Sequence, residues 1–212
     1  MFHVLITGLM HYNTVLFYYV NLGMQNSFLN HLMPILTAFG SLMAWGIVCV
    51  ALYLLGGTKA KKVAILGLLA LFLGNVAVYF LKYLVAEPRP FLVLPHVHQL
   101  VPETEIYSFP SGHTTSSFAV ATVLGLKYSL GIKGKKIRLI YPLILFAGVI
   151  GFSRVYIGVH YPLDVICGAL IGIFFALAVL KLETNIFNNK IFKMRGMDRI
   201  MNFNVLNFIK KI

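Results

Sequence analysis

Three short polar clusters carry the residue types that handle a phosphate ester. Lys82 is followed after six residues by Arg89-Pro90. Pro110-Ser111-Gly112-His113 stands further on. Ser153-Arg154 is followed after five residues by His160 and after three more by Asp164. Three cations in a partly desolvated pocket neutralise a phosphate and the charge that builds in its transition state. The two arginines add a bidentate fork that lysine lacks. The backbone around Ser111 and Gly112 precedes a helix N-terminus, where free amides and the helix dipole favour an anion. An Asp four residues after a His reaches its ring nitrogen, so Asp164 fixes the tautomer of His160 and leaves the other nitrogen free to attack phosphorus. His113 then protonates the leaving oxygen and activates water for a second step. Ser153 either hydrogen-bonds the phosphate or caps a helix end. The scheme needs no cofactor and no metal, and no carboxylate cluster is available to hold one.

These residues interrupt a chain that is 59% hydrophobic and only 11% charged over 212 residues, against about 25% charged in ordinary soluble domains. The expected fold is all-α: a polytopic membrane bundle with five core spans. They run from about Met33 to Leu55, Val63 to Val85, His113 to Leu130, Leu139 to Gly151 or beyond, and Tyr161 to Leu180. The third and fourth are short, with ends expected within protein rather than lipid. The stretch from Val4 to Val20 reads as an interfacial helix or a sixth span. Residues 1–181 are expected to form the membrane domain. Residues 182–212 form a basic cytoplasmic tail, either amphipathic on an anionic leaflet or solvated. The first residues lack the basic region of a cleavable signal peptide. Gly168 and Gly172 suggest close helix packing, and Asn75 an interhelical hydrogen bond. Cys49 and Cys167 sit in apolar runs as small buried hydrophobes.

The formal net charge of +12 reflects topology rather than nucleic-acid binding. Lys59, Lys61 and Lys62 lie between the first two spans. Lys127, Lys133, Lys135, Lys136 and Arg138 lie between the third and fourth. Lys181, Lys190, Lys193, Arg195, Arg199, Lys210 and Lys211 follow the fifth. With five spans all of these fall on one side, and positive loops mark the cytoplasm. Lys82, Arg89 and Arg154 fall at the opposite end with the polar clusters, so the site is expected to face away from the cytoplasm. A lone His or Arg within a span often bridges helices, but three such groups at compatible ends of compatible spans point to function.

The pattern K-x6-RP, PSGH and SR-x5-H-x3-D resembles the signature of the type 2 phosphatidic acid phosphatase (PAP2) superfamily, which includes bacterial acid phosphatases and vanadium haloperoxidases. All three parts match, from Lys82 to Asp164. The resemblance implies a helical bundle and a phosphohistidine intermediate. On that basis His160 resembles the nucleophile, Asp164 its partner and His113 the general acid and base. Lys82, Arg89, Ser111, Gly112 and Arg154 resemble the phosphate binders. The compact layout looks most like the undecaprenyl-diphosphatase branch, which implies removal of the terminal phosphate from a polyprenyl diphosphate in the cell membrane. The implied partners are that lipid and the bilayer, with no oligomeric state assigned. Phosphatidate or phosphatidylglycerophosphate is an alternative substrate. An anion-binding membrane module or transporter is the alternative outside enzymes. The loop from Phe91 to Phe109, with His96, His98, Glu103 and Glu105, covers the site, selects the head group or is a plain polar loop. His96 and His98 also raise metal binding.

Overall fold

The computed structural model describes residues 2–132 and 135–188 of the chain. Helix α1 (Phe2–Tyr18) runs into a π-helical turn (Tyr19–Gly23), followed by α2 (Ser27–Ala38) and α3 (Leu42–Leu55). The long α4 (Thr58–Val85) leads to a short α5 (Pro90–Val93), and α6 (Gly112–Lys127) begins after an extended loop. Strands β1 (Ser129–Ile132) and β2 (Lys135–Arg138) connect α6 to α7 (Ile140–Tyr156). Helix α8 (Pro162–Lys181) and a short α9 (Glu183–Asn188) complete the described chain.

Helix α6 is the centre, packed against α4, α7 and α8. Its sequence permits this because its inward residues are small: Thr114, Thr115, Ser116, Ser117, Ala119 and Val120 are all fully buried. Their hydroxyls find partners within the bundle. Thr115 donates to the carbonyls of Ser111 and Gly168, each at 3.0 Å. The two α8 glycines make the close approach that their spacing suggested. A Cβ on Gly168 would lie 2.7 Å from the Ser111 carbonyl oxygen, and one on Gly172 would lie 2.5 Å from that of Thr115. Such contacts let small residues stand in for bulk at a helix interface. Asn75 of α4 donates to Ser116 of α6 at 3.0 Å, the expected interhelical bond. Cys49 is buried and Cys167 partly so, both as free thiols.

Among the described residues two helices, α4 and α8, are long and apolar enough to cross a membrane, and the pair α2–α3 is a third span if taken together. The sequence suggested one continuous helix from Met33 to Leu55. Instead the pair bends by 54° at Phe39–Ser41. The break follows from packing and capping. A Cβ on Gly40 would come 2.4 Å from Ile150 and 3.3 Å from the Cβ of His113, and the Ser41 hydroxyl restarts the helix by accepting from the Ala44 N–H at 3.1 Å. The all-helical expectation also misses the antiparallel hairpin at 129–138, in which Leu130 pairs with Ile137. In its first strand Leu130 and Ile132 alternate with Ser129 and Gly131, the two-residue period of a strand.

The N-terminal stretch is a helix docked on the bundle, not a free surface segment. Phe17 and Val20 are buried with Tyr156, Ile157, Val159 and Tyr161. The polar residues that made this stretch ambiguous also hold it in place. Asn13 accepts from the Leu163 N–H at 3.0 Å. Asn21 donates to the carbonyls of Tyr156 at 2.8 Å and His98 at 2.9 Å, and accepts from the His98 N–H at 2.9 Å. The tail beyond Asn188, where an amphipathic helix was one expectation, lies outside the described residues.

Candidate active site

The clusters meet because each terminates or begins a helix at one end of the bundle. Helix α4 stops just after Lys82: Ala86 turns to a left-handed φ of 52° and donates its N–H to the Lys82 carbonyl. The backbone then runs extended through Pro88 to Arg89. Ser111 caps α6, placing Gly112 and His113 in its first turn. Arg154 lies in the last turn of α7. Pro162 opens α8 where its missing N–H costs nothing, and the Asp164 carboxylate accepts from the Tyr161 N–H at 2.8 Å, capping the helix just beyond His160.

These ends enclose a cavity of about 320 Å³ lined by Lys82, Arg89, Gly112, His113, Arg154 and His160. Six of the eight residues singled out from the sequence thus face one space. The other two stand behind it. Ser111 is fully buried. Its N–H donates to the Asp164 carbonyl at 3.1 Å, and its hydroxyl accepts from the Thr114 hydroxyl at 3.0 Å and the Thr114 N–H at 3.4 Å. Asp164 is fully buried behind His160. Ser153 turns away from the cavity and donates to the Ile150 carbonyl at 2.6 Å.

His160 is held on both ring nitrogens. Its Nδ1 lies 3.1 Å from Asp164 Oδ2, and its Nε2 lies 3.2 Å from Arg89 Nη1. With Nδ1 donating to the carboxylate, Nε2 carries the lone pair. Burial above all, and then the charges of Arg89 and Arg154, push the ring well below the ordinary histidine range. The loop that presents it turns at Gly158, whose φ of +83° belongs to glycine. A Cβ there would also lie 2.7 Å from the His98 carbonyl oxygen. Behind His113, Trp45 Nε1 donates to Ser117 at 3.0 Å, and Ser117 donates to the His113 backbone carbonyl at 2.8 Å.

The loop from Phe91 to Phe109 contributes more than the sequence revealed. Glu105 lies 2.9 Å from Lys82 and 3.1 Å from Arg89, while Glu103 lies 2.8 Å from Arg154 and 3.6 Å from Arg89. The cations also grip the loop backbone. Lys82 donates to the Tyr107 carbonyl at 2.6 Å, and Arg89 Nε donates to that of Glu105 at 2.7 Å. Burial pushes the Glu103 carboxyl up, but Arg89 and Arg154 outweigh it and hold the group below its ordinary value. Glu103-x-Glu105 was visible as an acidic pair in a chain with six acids, but its ion pairing was not. Ser108 was missed altogether. Fully buried, it donates to Asp164 Oδ2 and lies 3.3 Å from His160 Nδ1. A serine two residues before Pro110 carries no signal of its own. His96 and His98 do not line the cavity, and among the described residues no three His, Cys, Asp or Glu side chains gather as metal ligands.

Such a cavity can surround a phosphoryl group with cations while presenting an unprotonated imidazole nitrogen to its phosphorus. A family model described as the PAP2 superfamily matches residues 62–187. The chain is 32% identical over 152 residues to undecaprenyl-diphosphatase BcrC of Bacillus subtilis, covering 72% of this chain and 74% of that one. It is also 32% identical over 175 residues to an undecaprenyl-diphosphatase of Sulfolobus acidocaldarius, covering 82% and 79%. Among solved structures, Aquifex aeolicus LpxE superposes with a TM-score of 0.67 at 34% identity, covering 79% of this chain and 94% of that one.

Proposed function

This chain belongs to the PAP2 superfamily, and on that premise we propose that it removes the terminal phosphate of a polyprenyl diphosphate at the membrane through a phosphohistidine on His160. The observation that carries this reading is the pairing of His160 Nδ1 with buried Asp164, which leaves Nε2 beside Arg89 in a cavity lined by three cations.

Lys82, Arg89 and Arg154 bind the non-bridging oxygens of the terminal phosphate, with the backbone at Gly112 completing the cradle and Ser111 fixing its geometry. His160 Nε2 attacks phosphorus, and the bond from phosphorus to the bridging oxygen breaks. His113 gives that oxygen a proton, so the lipid monophosphate leaves. Water then attacks the phosphohistidine and loses a proton to His113. The N–P bond breaks, releasing inorganic phosphate and restoring neutral His160. Asp164 stabilises the positive ring while it carries the phosphoryl group. No metal takes part in this scheme.

The substrate lipid is carried over from the two undecaprenyl-diphosphatase relatives. The α2–α3 pair, α4, α6, α7 and α8 are read as five crossings within a membrane domain of residues 1–181, with 182–212 as a separate basic tail. Helices α6 and α7, of 16 and 17 residues, are about 24–26 Å long, so their ends lie within protein rather than in the ~30 Å hydrocarbon layer. The basic residues remote from the site support a cavity on the extracytoplasmic side of the cell membrane.

Purified protein in detergent is expected to release phosphate from undecaprenyl diphosphate with EDTA present. His160→Ala is expected to lower the rate more than about a thousandfold. Wild-type protein inert on this lipid overturns the substrate reading, and an active His160→Ala protein overturns the nucleophile.

A further inference from the structure

A second polar cavity, of about 310 Å³, lies at the end of the bundle away from His160. Thr58, Lys59, Lys62 and Val63 line it from the start of α4, Lys127 from the last turn of α6 and Glu183 from the start of α9. Lys59 and Lys82 stand about 35 Å apart along α4, so the two cavities share no wall. Lys59 and Lys62 are three positions apart on the helix and therefore share a face. Both are exposed, and each is steadied by a ring: Lys59 Nζ is 5.2 Å from the centre of Tyr128, and Lys62 Nζ is 5.4 Å from that of Phe187. A ring attracts a cation through its quadrupole but brings no counter-charge. The carboxylate in the lining is Glu183, which pairs with Lys127. Three lysines against one carboxylate leave two positive charges around one space.

We infer that this cavity binds the phosphate of an anionic phospholipid from the leaflet at that end of the bundle. Lysines act on phosphate as point charges and set no bidentate geometry, so a phosphodiester headgroup suits them. Its negative charge relieves the repulsion among the lysines and ties the start of α4 to the end of α6. The volume stands at the low end of the roughly 300–1,000 Å³ of ordinary ligand sites, which fits a headgroup and leaves the acyl chains outside. The neighbours of the lining favour a lipid over a soluble phosphate. Leu55 just before α4 leaves the preceding loop, Leu126 beside Lys127 and Leu182 beside Glu183 are all apolar and exposed. Charge therefore stands next to an apolar belt, the order in which a phospholipid presents its own headgroup and chains. Basic pockets between helices at the cytoplasmic surface take anionic headgroups in this way. That the leaflet is the cytoplasmic one rests on the orientation read from the basic loops, which the binding itself does not require.

The test titrates the purified full chain, in uncharged detergent, with phosphatidylglycerol, phosphatidylcholine or soluble glycerol 3-phosphate, and reads an apparent Kd from the rise in melting temperature. Phosphatidylglycerol is expected to bind wild type at least about tenfold more tightly than either of the others. Lys59→Gln with Lys62→Gln should weaken phosphatidylglycerol at least about tenfold. Lys136→Gln with Arg138→Gln removes the same charge from exposed hairpin positions outside the lining, and should stay within about twofold of wild type. Both pairs leave the catalytic cavity intact, so lipid bound there contributes equally to each. Glu183→Gln adds to the positive excess and should tighten binding about threefold. Equal losses in the two double variants mean diffuse surface charge and overturn the cavity as a site. So does wild-type affinity in the Lys59–Lys62 variant, or unchanged or weaker binding in Glu183→Gln, which decides the matter if that variant does not fold. Glycerol 3-phosphate binding as tightly as the lipid assigns the cavity to a soluble phosphate and overturns the lipid occupant. None of these outcomes bears on the polyprenyl-diphosphate reading, which the activity assay tests.

Discussion

Basic side chains gather at both ends of the α4–α6 pair, but in different company. At the catalytic end Lys82, Arg89 and Arg154 are buried, and Glu103 and Glu105 stand within 2.8–3.6 Å of them. At the other end Lys59, Lys61 and Lys62 lie 5.2–5.4 Å from the rings of Tyr128, Tyr53 and Phe187, and Lys127 pairs with Glu183. Desolvated cations need carboxylates near them, because an unpaired buried charge costs several kcal/mol. Exposed Lys59 and Lys62, over aromatic faces, present their charge to the surface, where it can meet an outside partner such as lipid phosphates. The two ends differ in how many acids face the cations: two carboxylates meet three buried cations at the cavity, and Glu183 meets Lys127 at the other end. At the cavity Glu103 and Glu105 hold the cations in a fixed arrangement, which on the proposed reading a substrate phosphate enters by exchanging places with a carboxylate.

The largest effect expected from breaking this contrast lies behind His160. Asp164→Asn keeps the shape but removes the charge that orients and stabilises the ring. It is expected to lower kcat by about 10²–10⁴, by analogy with other imidazole–carboxylate pairs. Ser108→Ala removes one donor to the same carboxylate oxygen, leaving the Tyr161 N–H and His160 in place. About a tenfold loss in kcat is expected, with KM unchanged. Steady-state kinetics on both variants checks the order, and a Ser108→Ala protein of wild-type kcat removes Ser108 from the positioning network.

The acids facing the cations come next. Glu105 is largely exposed, with a side chain 61% accessible, whereas that of Glu103 is 19% accessible. Glu105→Gln leaves Lys82 and Arg89 with one charge fewer opposite them. Inorganic phosphate is therefore expected to inhibit about three- to tenfold more tightly, which a product-inhibition constant measures. Glu103→Gln leaves buried Arg154 short of its ion pair, and a stability loss of about 1–3 kcal/mol at pH 7 is expected. The sign with pH follows from the carboxyl being held below its ordinary value by Arg89 and Arg154. Its contribution is fully present above the ordinary glutamate range, and is lost as pH falls through the lowered folded value. The melting difference between wild type and Glu103→Gln should thus be large at pH 7 and shrink in strong acid. A difference independent of pH would break the ion-pair explanation.

The catalytic end was legible in the sequence wherever function forces a costly residue into an apolar run. Lys82, Arg89, His113, Arg154 and His160 stood out for that reason, and helix ends then placed them at one depth. What escaped was held by partners that spacing does not encode. Ser108 reaches Asp164 across 56 positions. Asn21 clamps the loops at Tyr156 and His98 from a segment that looked separate from the core. The α2–α3 bend was hidden because Gly40 and Ser41 read as ordinary small residues in a greasy stretch. The close approach of Ile150 and His113 to Gly40 exists only in three dimensions.

The smallest effect belongs to the opposite end. If its lysines serve the membrane surface rather than chemistry, Lys59→Ala and Lys62→Ala should change kcat/KM in detergent by less than twofold, since neither lines the catalytic cavity. They should matter for sidedness instead. A cysteine at Gly131, in the hairpin between α6 and α7 where an added Cβ meets nothing within 4 Å, tests this in Cys49→Ala, Cys167→Ala protein. It should react with an impermeant maleimide only after cells are opened, because basic loops stay on the cytoplasmic side. A cysteine at Thr104, between Glu103 and Glu105, should react in intact cells. The reverse pattern would turn the molecule over in the membrane. The phosphate chemistry would stand, but the cavity would face lipid diphosphates of the inner leaflet.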